Sequence, residues 1–339
     1  MMFLLLLSMV STTESNSCYR RRSDWNKDQT SIPVMVNGWL QSVIFGDGDG
    51  RVQSRMFHPV EGVFTSDHDG SDDDHDKDDR RLITVGKFAD HIPSGVTWQY
   101  RGNSKMAGLL YGQVDEKGEF TGADVTFIYP DFLTGLRGNF VNGVLEKARA
   151  VDVVGERCKG GMKELMVEAS DEDEDVVWER LDANDSYIGQ HPTVMDPHER
   201  KSVYVGESMV EMAGEGLFAK KMFSPGDLIS YYGGQKVLKR NIIQKPNMTL
   251  SQISSSSSYL FSLGLVSPSW WGYPTDLLLD VGAEYRAVER YRSTLAHKAN
   301  HAFLGSNAFY ASVDHPAMGG VGCLVAIMEI GEGEEIYVD

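Results

Sequence analysis

His297-Lys298-Ala299-Asn300-His301-Ala302-Phe303, near the C-terminal end of the chain, is the stretch on which the fold assignment turns. Alone, an Asn-His pair among small and apolar residues is a weak signal, and a lone histidine is more often a satisfied core residue. A second stretch upstream changes its weight: Ala213-Gly214-Glu215-Gly216-Leu217-Phe218. There a Gly-x-Gly turn follows one alternating apolar run, Val203-Tyr204-Val205, and opens another, Leu217-Phe218. Two glycines let backbone approach a ligand closely and offer it N–H and C=O groups, although by themselves they are usually just a turn.

Outward from these two stretches the pattern is one of short strands broken by glycine. Leu228-Ile229-Ser230-Tyr231-Tyr232 runs into Gly233-Gly234, and further strands are expected over 259–265, 277–281 and 321–328. One helix is expected over 284–292, and 254–258 is a run of serines read as a loop. Residues 201–339 therefore read as a mostly β domain with few helices.

Residues 81–150 carry a self-similarity with a period of 26: Gly86-Lys87-Phe88, Gly112-Gln113-Val114 and Gly138-Asn139-Phe140. Further glycines, Gly95 and Gly122, each open an alternating strand, Val96-Thr97-Trp98-Gln99-Tyr100 and Ala123 to Tyr129. Fixed spacing, glycine at turns and β-branched or aromatic alternation predict stacked β-hairpins, each covering its neighbour's apolar face. An ordinary antiparallel sheet is the competing reading and differs little in architecture. Residues 1–80 are poorly defined, and 151–200 read as an acidic connector containing Pro192 and Pro197.

Composition sets the outer limits. A chain of 339 residues with 41% hydrophobic content suits a globular protein of two or three domains. The formal charge is −17, and two runs, 67–79 and 168–175, supply −7 and −6 of it. Such runs self-repel and read as solvated inserts or hinges, with long-range steering of a basic substrate tail as the alternative. This balance argues against direct nucleic-acid readout. The cysteines Cys18, Cys158 and Cys323 are odd in number and far apart, which favours a reducing compartment and gives no zinc signature. The apolar run 3–7 lacks a basic flank and is far too short to span a bilayer. A signal peptide is one reading of it; a misplaced start or an irregular terminus is the other.

The order of these elements, a Gly-x-Gly turn after a strand and then Asn-His before a Tyr-bearing strand, resembles the SET-domain lysine methyltransferases. Within them it resembles the histone H3 monomethylating type that carries MORN repeats ahead of its SET domain. The likeness runs over 81–339, and Tyr129-Pro130-Asp131 matches a turn common in MORN repeats. It implies a mainly β fold, with a MORN-like hairpin sheet followed by a SET fold. It also implies transfer of a methyl group from S-adenosylmethionine to a lysine of histone H3, of the fourth-lysine type, or of other proteins. Cofactor contact is carried over to Ala213, Gly214, Glu215 and Gly216 and to Lys298, Asn300 and His301. The lysine channel is carried over to Tyr232 and to Tyr310, the latter across a one-residue insertion near Gly305. No metal is implied. The partners implied are the histone H3 tail and other lysine-bearing proteins, the compartments nucleus and chromosome with cytoplasm beside them, and the expected state is a monomer without membrane attachment.

The resemblance also rationalises those residue types. A lysine with a pKa of about 10.4 costs roughly 4 to 5 kcal/mol to deprotonate at neutral pH, and an apolar channel beside a sulfonium cation lowers that cost. Two departures fall on functional positions. Ala302 stands where the family usually has Ser, and Asp339 is the last residue where the family's closing strand would be followed by its principal catalytic Tyr. The second departure leaves two readings: an incomplete sequence of an active enzyme with a loosely held terminal strand, or a shortened, non-catalytic interaction protein.

Overall fold

The 26-residue glycine spacing corresponds to a run of antiparallel hairpins. The computed structural model describes residues 32–36, 39–45, 52–56, 82–89, 92–101, 106, 108–159, 162–170, 175–181, 188, 190–240, 260–263, 274–302 and 305–339. It is mainly β and divides into two compact units, Met1–Asp171 and Glu172–Asp339. The apolar start 3–7, the acidic run 67–79 and the serine run 254–258 lie outside the described residues, as do 171–174 of the acidic run 168–175.

In the first unit β1 (Ile32–Val36), β2 (Trp39–Phe45) and β3 (Val52–Met56) form a three-stranded sheet. A larger antiparallel sheet then adds strands in chain order. These are β4 (Leu82–Ala89), β5 (Ile92–Arg101), β6 (Leu109–Val114), β7 (Gly122–Ile128), β8 (Thr134–Val141), β9 (Val144–Lys159) and β10 (Met162–Ala169). Each repeat copy is one hairpin: β4/β5, β6/β7 and β8/β9. The recurring glycine marks close passage of the next strand, since a Cβ at Gly138 would lie 2.5 Å from Ala148 Cα and 2.9 Å from Ala148 Cβ. Tyr129-Pro130-Asp131 does form the β7–β8 turn, closed by Phe132 N–H to Tyr129 O at 2.9 Å and Leu133 N–H to Asp131 Oδ1 at 3.0 Å. Leu165 of β10 joins Leu109, Tyr111 and Ile128 of β6 and β7 in one core cluster, so the sheet curls on itself. The sheet outlasts the repeat: 151–159 and 162–169, which lie in the stretch expected to be a connector, are strand, because they continue the apolar alternation through Val151, Leu165 and Val167.

In the second unit, after β11 (Trp178–Glu179), the helix α1 (Pro197–Ser202) starts at Asp196, whose carboxylate accepts from His198 N–H at 2.9 Å. β12 (Val203–Glu207) and β13 (Glu215–Ala219) form the hairpin that flanks the Gly-x-Gly turn. The remaining strands are β14 (Leu228–Tyr232), β15 (Gln235–Leu238), β16 (Leu260–Phe261), β17 (Leu277–Asp280), β18 (Asn300–His301), β19 (Ala308–His315), β20 (Gly319–Ala326) and β21 (Tyr337–Val338). They make two three-stranded sheets, β14-β20-β19 and β15-β17-β16, and the parallel pair β18/β21.

The helix expected over 284–292 is not formed. The chain makes a 3-10 turn at Ala283–Tyr285 and a further turn at Ala287, because the N–H groups of Arg292 and Ser293 turn to Pro192 O, at 2.8 and 3.2 Å, instead of to helical carbonyls. Arg286 O is likewise taken by Lys298 Nζ. The closing strand, expected to be loosely held, is fastened. β21 pairs with β18 in the register Asn300↔Tyr337, and Asn307 clamps it by accepting from Tyr337 N–H at 2.8 Å and donating to Glu335 O at 2.9 Å.

Candidate functional site

The hairpin β12/β13 carries the loop 208–214 outward, with Ala213, Gly214 and Glu215 all exposed. The loop is closed by Ser208 N–H to Gly214 O at 2.8 Å and Ala213 N–H to Val210 O at 3.1 Å. Gly214 lies at φ +75 with nothing within 4 Å of the position a Cβ would occupy, a conformation glycine adopts at no steric cost. Gly216 is needed for a different reason. It is buried, and a Cβ there would collide with Glu335 Oε1 and sit 3.2 Å from Asn300 Nδ2.

The two stretches that are remote in sequence are therefore in direct contact. Asn300 Nδ2 donates to Glu215 O at 3.0 Å, to Ser208 Oγ at 2.9 Å and to Glu335 Oε1 at 3.1 Å. An amide nitrogen has two hydrogens, so one is shared between acceptors. This environment also fixes the amide orientation, since the flipped form would set Oδ1 against a carboxylate and a carbonyl. Lys298, nearly buried, forms an ion pair with Glu215 at 2.5 Å. His301 pairs through its backbone with Val338 and leaves its ring exposed. Ala213, Gly214, Glu215, Gly216, Lys298, Asn300 and His301 thus lie together at the junction of β13 and β18. The hydrogens of the Asn300 amide are directed to acceptors of the chain itself, which leaves its backbone as the part that could meet a ligand.

Tyr232 and Tyr310 come from β14 and β19, the strands on either side of β20. Their rings meet edge to face with centroids 6.0 Å apart. Phe261 packs against both, at 5.2 Å from Tyr232 and 5.3 Å from Tyr310. Room for that ring comes from Gly322, where a Cβ would lie 2.7 Å from the ring edge. His297 stands edge-on to Tyr232 at 6.4 Å, with Tyr291 beyond it at 5.5 Å. The result is an apolar, aromatic-walled patch beside the Gly-x-Gly loop's partner stretch. Burial pushes the Tyr310 hydroxyl up to about 12 and, with the charge of Lys298 second, pulls the His297 imidazole down to about 3. Near neutrality the Tyr310 phenol and the His297 imidazole are both uncharged.

Buried polar groups hold β14 and β19 in place. Glu199 of α1 accepts from Ser230 Oγ at 2.8 Å and from Tyr231 N–H at 2.5 Å, and burial raises its carboxyl well above the ordinary value of 4.5. His315 Nδ1 accepts from the N–H groups of Ala317 and Met318, so its proton sits on Nε2 and is donated to Asp196 Oδ2 at 3.0 Å. The Tyr231 ring is wedged edge-on between His198 and His315, at 5.4 and 4.8 Å, and this fixes where the next residue, Tyr232, points.

Sequence reasoning missed Ser208, Asn307 and Glu335. Glu335 accepts from Ser208 Oγ at 2.6 Å, Met209 N–H at 2.7 Å, Asn300 Nδ2 at 3.1 Å and Tyr337 OH at 2.7 Å. Its separations of 127, 126 and 35 residues from the first three partners leave no local pattern to read. Among the described residues no group of three His, Cys, Asp or Glu side chains is arranged to hold a metal ion, and no helix is long and apolar enough to cross a membrane.

The residues at the β13/β18 junction fit a small ligand with both polar and charged ends. Gly214 leaves an open face on the backbone, next in sequence to Glu215, whose carboxylate pairs with Lys298 and whose carbonyl accepts from Asn300.

Residues 88–157 match the family model described as the histone H3 K4-specific methyltransferase SET7 N-terminal region. Over 256 residues the chain is 29% identical to the histone-lysine N-methyltransferase SETD7 of Halocynthia roretzi, an alignment covering 75% of this chain. The chain spans 60% of the length of that relative. Its likeness is thus to the SET7/SETD7 type of lysine methyltransferase. Among solved structures, it matches ctPRC2 in an autoinhibited conformation bound to S-adenosylmethionine at 23% identity with a TM-score of 0.29, covering 40% of this chain and 15% of that one. An active polycomb repressive complex 2 in the basal state matches at 22% identity and a TM-score of 0.29, covering 41% and 15%.

Proposed function

We propose that this chain is a protein-lysine N-methyltransferase that uses S-adenosylmethionine and acts on a lysine of the histone H3 tail, of the fourth-lysine type, and on other lysine-bearing proteins. In this reading 81–150 is a MORN-like hairpin module, 201–339 a SET-type catalytic module, and the site of action is chromatin. The observation that carries the proposal is the contact of Asn300 with Glu215 O beside the open backbone of Gly214. It brings two loops 85 residues apart in sequence together beside that open backbone.

S-adenosylmethionine, when bound, supplies the methyl group and a positive sulfonium. The backbone of Ala213, Gly214, Glu215 and Gly216, the Glu215–Lys298 ion pair and the backbone of Asn300 and His301 would hold it. Tyr232, Tyr310 and Phe261 offer ring faces to the aliphatic stem of a lysine and keep water from it. That environment favours the uncharged amine, so the chain needs no dedicated base. The hydroxyls of Tyr232 and Tyr310 orient the amine by hydrogen bonding, and orientation along the methyl–sulfur axis is where rate is gained.

The experiment is calorimetric titration of the chain with S-adenosylhomocysteine, followed by transfer of labelled methyl from S-adenosylmethionine to histone H3 peptides with and without the fourth lysine. Saturable binding and label on the lysine-containing peptide are expected. A chain that neither binds the homocysteine nor labels any histone or protein substrate sinks the enzyme reading.

A further inference from the structure

Both loops and the closing strand converge on one side chain that no motif singles out. Glu335 is 5% exposed, and its two oxygens divide the work. Oε1 takes Ser208 Oγ and Asn300 Nδ2, and Oε2 takes Met209 N–H and Tyr337 OH. Ser208 is itself fully used: its hydroxyl donates to Glu335 and accepts from Asn300 Nδ2 and from Val210 N–H at 3.0 Å. We propose that Glu335 is the positioning residue that sets the loop 208–214 against Asn300 and so holds the cradle in its ligand-binding shape. The inference rests on the reading of that cradle as the S-adenosylmethionine site.

The chemistry requires a carboxylate at this point. Four donors converge, and only an ionised carboxylate presents acceptors on both sides. Burial alone would raise the Glu335 carboxyl, but hydrogen bonds from Ser208, Met209, Asn300 and Tyr337 outweigh it and hold the group below the ordinary carboxylate value. The same contact lifts the Tyr337 hydroxyl to about 12, through burial first and then the bond to Glu335 and its charge. A glutamine of the same size satisfies one side only, because its NH2 faces two donors on the other. Either the Ser208–Asn300 side or the Met209–Tyr337 side is then lost.

The test compares the wild-type chain, Glu335→Gln and Ser208→Ala by calorimetry with S-adenosylhomocysteine, by urea unfolding, and by amide hydrogen exchange read by NMR. Glu335→Gln is expected to weaken binding at least about tenfold, equivalent to about 1.4 kcal/mol, and to speed exchange at the Met209 and Val210 amides. The Ile336 amide, bonded to Leu217 O at 2.7 Å, is expected to keep its protection. Ser208→Ala is expected to do the same more weakly, and it decides the matter if Glu335→Gln does not fold. A purely architectural role would lower the urea midpoint while leaving the affinity of the folded protein unchanged. That result, or unchanged exchange at Met209, overturns the proposal. If wild type fails to bind the homocysteine, the cofactor reading falls, and the exchange at Met209 still decides whether Glu335 positions the loop.

Discussion

Gly216→Ala is the substitution whose outcome the structure constrains most tightly, because two effects of opposite sign compete and their sizes differ. Gly216 is in strand β13 and has no positive φ. Judged on the backbone alone, alanine should stabilise the chain by about 0.4 to 1 kcal/mol through reduced freedom in the unfolded state. The added Cβ, however, collides with Glu335 Oε1 and lies 2.8 Å from Glu335 Cδ. Strand β13 is paired with β12 along its whole length and cannot retreat cheaply, so the carboxylate must move. Moving it breaks bonds from Ser208, Met209, Asn300 and Tyr337. Hydrogen bonds to a charged group are worth about 1.5 to 3 kcal/mol each, and water recovers part of that as the carboxylate swings out. The collision wins, and a net loss of about 2 to 3 kcal/mol is expected.

Urea unfolding gives the number, and a cycle with Glu335→Ala tests the cause. In the double variant the Cβ enters space already vacated, so the combined loss should fall short of the sum of the singles by more than about 1 kcal/mol. Gly214→Ala is the control: it carries a left-handed φ of +75 but meets nothing within 4 Å, so about 1 kcal/mol of backbone strain with no coupling to Glu335 is expected. A Gly216→Ala chain as stable as wild type, or strict additivity with Glu335→Ala, refutes the reasoning.

Two further outcomes follow from the aromatic patch and its supports. His297, held down near 3 against an ordinary 6.5, takes up its proton in the unfolded chain but not in the folded one over that interval. Its contribution is therefore complete above 6.5 and declines on acidification by about 1.4 kcal/mol per pH unit. Glu199 has the opposite sign: its carboxyl is raised, so the folded chain keeps a proton that the unfolded chain gives up above 4.5. Acidification toward 4.5 consequently adds stability through Glu199 and offsets the loss through His297. Glu199→Gln removes the offset, so the urea midpoint of that variant should fall more steeply than wild type as pH drops from 6.5 toward 4.5; parallel profiles would count against both assignments. Gly322→Ala should expel the Phe261 ring, 2.7 Å from the new Cβ, from between Tyr232 and Tyr310, lowering stability by about 1 to 3 kcal/mol and reducing the near-ultraviolet circular dichroism of the aromatic cluster. An unaltered aromatic spectrum with full stability would show that the ring does not need that space.

What could be read from the chain and what could not divide along one physical line. The hairpins within 81–150 were legible because glycine spacing and strand alternation are local, and the pairing of β4 to β10 follows chain order. Gly-x-Gly and Asn-His were legible as short motifs, and the structure brings them into contact. The helix expected over 284–292 was misread since its decisive partner, Pro192 O, lies far upstream. Glu335 escaped for the same reason. A carboxylate that gathers four donors from three segments cannot be inferred from spacing, but it leaves a trace at Gly216, the position where any side chain would have displaced it. The second glycine of the motif is thus explained by an internal neighbour, whereas the first, Gly214, faces open space. One motif therefore serves two ends: its first glycine leaves a face of the backbone open, and its second admits the carboxylate that holds the loop in place.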